Sequence, residues 1–219
     1  MYQLKIATFT SSGFGENAYL VWQDRADSAI AIDPGGDVQP ILDRLEAERL
    51  GLEAIVLTHA HVDHVEGVPE LVRRTGAPVY LHDGDRPLYE RATDQAAMFG
   101  MTVKEMPAIT HRLEHEQVLE LGGIRFVVKH VPGHSPGHVI LIAEEAGVAF
   151  VGDVIFMNSI GRTDLWGGDF QTLIRGIRTH VFSLGDDVEL YSGHGPATTV
   201  GHERATNPFL VPNYGGGLA

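Results

Sequence analysis

Four metal-ligating side chains, His59, His61, Asp63 and His64, fall within six consecutive positions of this chain. They follow the run Leu52 to Leu57, which reads as a buried strand, so the cluster occupies the turn at that strand's carboxyl end. Imidazole and carboxylate suit zinc or iron, and a turn can bend alternate residues towards one point. A solvated His-rich turn would carry the same residues with nothing to match them further along. Here three further ligand types each close a later apolar run. His134 follows Ile124 to Val131 within Pro132-Gly133-His134-Ser135-Pro136-Gly137-His138. Asp153 follows Val148 to Val151, and His194 follows Val188 to Tyr191 within Ser192-Gly193-His194-Gly195-Pro196. Pro and Gly stiffen such turns and let backbone approach an ion closely. Four ligand turns, each closing a short apolar segment, describe one active edge of a sheet. Seven candidate ligands are enough for two metals.

Composition narrows the class. With 219 residues, 43% apolar and 21% charged, the chain can bury one large core, and a single domain over residues 1–210 is expected. Val211 to Ala219, rich in Gly, reads as a flexible tail. No apolar stretch reaches the roughly 18 residues of a membrane span, and Met1 to Phe9 alternates like a strand, so a cytoplasmic chain without membrane association is expected. The absence of Cys excludes disulfides, thiolate ligands and a Cys nucleophile. Only 16 Lys and Arg stand against 29 Asp and Glu, a net charge of -13 that disfavours nucleic-acid binding.

Periodicity predicts strands near 2–9, 17–23 and 28–33, a helix over Val38 to Leu50, strand 53–58, helix Val68 to Thr75, strand 78–82 and a helix near Arg86 to Thr93. Residues 94–116 are mixed in character and read as a flap over the rest. Strands near 117–120, 124–131, 138–143 and 147–152, helix 169–180 and strand 188–191 follow. Two clusters of strands, each followed by helices, predict an α/β fold: two sheets face to face with helices outside. Of the twelve His, seven lie outside the ligand set. His82, His111, His115, His180 and His202 sit in polar or helix-end contexts and read as surface residues. His130 and His138 flank the His134 turn and are candidates to brace it, since ligating imidazoles need partners on their other nitrogen. Asp33 either braces a ligand or caps the helix that follows its Asp-Pro-Gly turn.

These motifs, in this order and over nearly the whole chain, resemble the metallo-β-lactamase superfamily, and within it the short proteins of the glyoxalase II type. Asp33-Pro34-Gly35-Gly36, Gly161-Arg162-Thr163-Asp164, Glu203-Arg204 and Asn207-Pro208-Phe209 add to the resemblance. It implies an αββα sandwich of two mixed sheets. It also implies His59, His61 and His134 on a first metal, Asp63, His64 and His194 on a second, and Asp153 bridging both. The cofactors implied are two divalent ions, zinc first, with iron or manganese as alternatives.

The implied activity is hydrolysis of a small-molecule thioester, S-D-lactoylglutathione or a related acyl-glutathione. Two metals about 3.5 to 4 Å apart lower the pKa of a shared water towards about 7, and Asp63 is expected both to ligate and to orient the attacking hydroxide. Thiolate is a good leaving group and a soft partner for zinc. Arg162 aligns with a basic residue that contacts glutathione in the family, unless it pairs with Asp164 or Asp169. Longer relatives carry a helical domain that helps bind glutathione. Only 25 residues follow His194 here, so weaker or broader thioester specificity is expected. The main competitor is a persulfide dioxygenase, using one iron held by His59, His134 and Asp153. A lactonase is a third reading, and a metal-stabilised binding module a fourth. His64 argues against the β-lactamases proper, and His61 against oxygen-reducing diiron relatives.

Overall fold

The computed structural model describes residues 3–211, so all of the expected tail except Val211 lies outside the described residues. Two six-stranded sheets form the centre. The first runs β1 (Leu4–Thr10), β2 (Asn17–Gln23), β3 (Ser28–Ile32), β4 (Gly51–Val56), β5 (Val79–His82) and β6 (His111–Leu113), in chain order. Its first three strands pair antiparallel and the rest parallel. The second, from edge to edge, places β14 (Thr198–Thr199), β13 (Glu189–Ser192), β10 (Val148–Gly152), β9 (Val139–Ala143), β8 (Ile124–His130) and β7 (Val118–Leu121). Here only β10 and β13 pair parallel. A separate hairpin joins β11 (Ile155–Phe156) to β12 (Ser159–Ile160).

Both sheets are mixed and both are buried on two faces, which is why several strands read as unbroken apolar runs rather than alternating ones. Along β2, Tyr19 and Val21 enter the core between the sheets, with Ile30, Val56, Phe126, Leu141 and Phe150, whereas Ala18, Leu20 and Trp22 turn to the outer face. That outer face is covered by α1 (Gln39–Glu48), α3 (Val68–Thr75) and α4 (Arg86–Glu90), through Ile41, Leu45, Val68, Leu71 and Tyr89. The outer face of the second sheet is covered by α6 (Phe170–Gly176), a π-helical continuation over Ile177–Val181, and α7 (Val200–Thr206). The order of layers is helix, sheet, sheet, helix, as expected.

Differences from expectation are local. The segment 94–116 carries α5 (Ala92–Met98) and β6, and Met101, Val103 and Met106 pack against Val62 and Ala96, so much of it belongs to the fold. The β11–β12 hairpin, β14 and α7 are too short to show a period. Side-chain chemistry holds them instead: Glu203, fully buried, accepts from Thr198 Oγ1 at 2.5 Å, Asn207 Nδ2 at 2.8 Å and the Asn158 amide at 2.9 Å. That node ties α7 to the hairpin that follows Asp153. The Glu203 and Asn207 of the sequence motif are thus structural.

Candidate metal centre

The seven candidate ligands converge at one end of the sandwich. His59 and His61 leave β4, Asp63 and His64 lie in the one-turn α2 (Val62–Val65), His134 stands between β8 and β9, Asp153 follows β10 and His194 follows β13. Three groups have ligand atoms all within 4.8 Å of one another: His59, His61 and His134; Asp63, His64 and His194; and Asp33, His59 and His64, the last with Asp33 on the outer, Nδ1 side of His64. Asp153 spans the first two. Its Oδ2 lies 3.4 Å from His134 Nε2, and its Oδ1 lies 3.3 Å from His64 Nε2. The carboxylate of Asp63 is 3.2 Å from His194 Nε2 and is more open to solvent than that of Asp153.

Hydrogen bonds on the outer nitrogens of His59 and His134 fix their tautomers, so their inner nitrogens carry lone pairs. His134 Nδ1 donates to the Arg162 carbonyl at 2.8 Å, which leaves Nε2 unprotonated and facing His61 Nδ1 at 2.8 Å. Thr58 Oγ1 donates to Asp33 Oδ2 at 2.5 Å, so it accepts from His59 Nδ1 at 3.1 Å and strips the inner nitrogen of its proton. His59 Nε2, His64 Nε2 and Asp153 Oδ1 are buried without a hydrogen-bond partner. Buried polar atoms without a partner are costly, and three of them turned inward onto one space fit divalent cations. The donor set, all imidazole and carboxylate, suits zinc, iron or manganese.

The electrostatics agree. Burial, reinforced by neighbouring imidazoles, pushes His59 well below the ordinary His value and His61 to about 3. Burial also works against a charged His64, but Asp153 and Asp63 outweigh it and hold that ring's pKa well above the ordinary value. For Asp63, burial favours the neutral acid, yet His64 and His194 keep the carboxylate ionised. The acidic side of the centre therefore demands a cation, and a proton on His64 fills that place when no metal does.

Asp33 braces rather than caps. Its Oδ1 accepts from the Thr58 amide at 2.7 Å and its Oδ2 accepts from His64 Nδ1 at 3.1 Å, while α1 has Val38 at its N-cap and no side-chain cap. His138 braces too: it is fully buried, accepts from the Asp153 amide at 3.0 Å, and stacks on His59 at 4.7 Å. His130 Nε2 donates to the Pro136 carbonyl at 2.9 Å and stacks on His82 at 4.1 Å. Arg162 is held by Asp164 in a two-pronged exposed pair, 2.7 and 2.8 Å, and its carbonyl serves His134. Sequence reading missed three residues. Asn17 Nδ2 donates to the Ser192 and Gly195 carbonyls at 3.1 and 2.8 Å, framing His194. Asp85 lies buried between the His59 and His134 turns. Glu16, fully buried and unpartnered, has its carboxyl next to the Asp63 carbonyl across Gly35, and burial pushes its pKa up to about 9.

A family profile described as Metallo-beta-lactamase superfamily matches residues 12–194. Hydroxyacylglutathione hydrolase GloC of Haemophilus influenzae is 40% identical over 210 residues, 94% of this chain and 98% of that protein. The crystal structure of BLEG-1, described as a B3 metallo-beta-lactamase, has a TM-score of 0.89 at 38% identity, covering 94% of this chain and all of that one. TTHA1623, solved in a di-iron-bound form, has a TM-score of 0.85 at 40% identity, covering 93% of this chain and all of that one.

Proposed function

The chain belongs to the metallo-beta-lactamase superfamily, and from that premise we propose that it is a binuclear metal-dependent thioester hydrolase of the glyoxalase II type, acting on acyl-glutathiones such as S-D-lactoylglutathione. One observation carries the reading: a single carboxylate, Asp153, spans two complete donor triads. The first ion is assigned to His59, His61 and His134, and the second to Asp63, His64 and His194. When bound, the two ions would polarise the thioester carbonyl and lower the pKa of a water towards about 7. Asp63, the ligand carboxylate nearer solvent, orients that water towards the acyl carbon. In the net reaction one water adds across the C–S bond: its oxygen ends on the acyl carbon as a carboxylate, one of its protons on the departing thiol and the other in solvent. Asp33, Thr58 and the Arg162 carbonyl hold the imidazoles with their lone pairs inward. The Arg162 guanidinium is assigned to a carboxylate of the glutathione carrier, which displaces Asp164 from an exposed, solvent-screened pair. No helix of the described residues is long and apolar enough to cross a membrane, and a cytoplasmic location completes the proposal.

A single-iron dioxygenase would use His59, His134 and Asp153 and leave the second triad without a task, which favours the hydrolase. Hydrolysis of β-lactams is the second reading, supported by the likeness to BLEG-1, which weakens the argument from His64 against it. Elemental analysis of the purified protein, with turnover of S-D-lactoylglutathione and a β-lactam and oxygen uptake with glutathione persulfide, separates the three. Two ions per chain with thioester turnover is the expected result. One iron with oxygen uptake would replace the hydrolase with the dioxygenase.

A further inference from the structure

Asp85 stands at the start of α4, where an aspartate ordinarily accepts a hydrogen bond from its own helix, yet its side chain makes no such cap. It is fully buried, and every hydrogen bond its carboxylate accepts comes from the two turns that carry the first triad. Oδ2 accepts from the Ala60 amide at 2.9 Å, between His59 and His61, and from Ser135 Oγ at 2.7 Å, next to His134. Oδ1 accepts from the Gly137 amide at 2.5 Å. The approach is close enough that a Cβ on Gly137 would overlap the Asp85 amide, so these turns meet only because the sequence is Asp83-Gly84-Asp85 on one side and Pro136-Gly137 on the other.

From this geometry we infer that Asp85 is a positioning residue for the first metal: it sets the distance between the His59/His61 turn, borne by the first sheet, and the His134 turn, borne by the second. The second triad receives no hydrogen bond from it. The inference rests on the metal assignments proposed above. Its chemistry requires a carboxylate. Asn at this position offers one acceptor oxygen, so whichever way its amide turns, the NH2 faces either the Ala60 or the Gly137 amide, donor against donor.

The test is metal titration of Asp85→Asn and Ser135→Ala against the parent protein, each stripped of metal and loaded with zinc in competition with a chromophoric chelator. The parent is expected to take up two equivalents. Asp85→Asn is expected to weaken one by 10-fold or more, the range for losing a group that orients a ligand, and to leave the other unchanged. Ser135→Ala, which loses one donor and exposes no unmatched group, is expected to weaken the same equivalent by a smaller factor and decides the matter if Asp85→Asn does not fold. Two equivalents bound by the variants as tightly as by the parent would overturn the role of Asp85, as would equal weakening of both. A parent that binds no zinc would overturn the metal assignment itself.

Discussion

Glu16→Gln should make the metal-free protein progressively more stable than its parent as pH rises. The Glu16 carboxyl is buried beside Asp63 with no partner, and burial moves its pKa from the ordinary 4.5 to about 9. The folded state therefore holds a proton that the unfolded chain releases above pH 4.5. Stability is unaffected below that value and is lost as pH climbs towards 9. Between pH 4.5 and 7 the loss runs over 2.5 pH units at about 1.4 kcal/mol each, or roughly 3 kcal/mol at neutral pH. Gln keeps the shape and cannot ionise, so the other titrations largely cancel between the two proteins. Urea denaturation of both, stripped of metal, at pH 5, 6, 7 and 8 measures the difference. With a slope near 3 kcal/mol per molar urea, the midpoints should separate by about 0.5 M per pH unit. A separation that stays constant from pH 5 to 8 would show that Glu16 ionises normally and that its burial does not control it.

Gly193→Ala should abolish metal retention with little change in secondary structure, because a Cβ there would overlap Asp153 Oδ1 and crowd the His64 ring; full zinc occupancy by elemental analysis would contradict the packing. Zinc loading at pH 7 should release at least one proton per chain, since His64 holds a proton that the metal must displace. Calorimetry in two buffers of different ionisation enthalpy reads that number, and a buffer-independent heat would argue against a protonated His64. Arg162→Ala should raise KM for glutathione thioesters several-fold with kcat nearly unchanged, because the residue is assigned to binding rather than to the reacting atoms. An unaltered KM would leave Arg162 as the partner of Asp164 and the carbonyl that orients His134.

The layers and the ligand turns were legible because their signals are strong and local. Strands buried on two faces produce apolar runs, and His with Asp beside Gly and Pro at the ends of such runs has few other uses. Asp33 could be narrowed to two roles, and only the positions of Thr58 and His64 chose between them. Asp85 and Glu16 were not legible. Each is one acidic residue among 29 in an ordinary turn context, and what distinguishes them is burial, which follows from contacts between distant segments. The one available hint for Asp85 was its place just past β5, at the same strand end of the first sheet that carries His59. The β11–β12 hairpin and α7 are short elements whose order comes from Glu203, a single side chain that no periodicity reveals.

Asn17 holds the carbonyls on both sides of His194, and Asn17 N donates to the Gly193 carbonyl at 2.7 Å, so the second residue segment of the chain to form a strand is stitched to the last ligand to be synthesised. Closing a loop of that length is slow and its entropy must be met before any contact rewards it. The first triad takes its last ligand from His134 and that ligand's orienting carbonyl from Arg162, whereas the second triad needs His194 and the carbonyls that Asn17 holds around it. The second metal position therefore depends on a longer-range closure than the first.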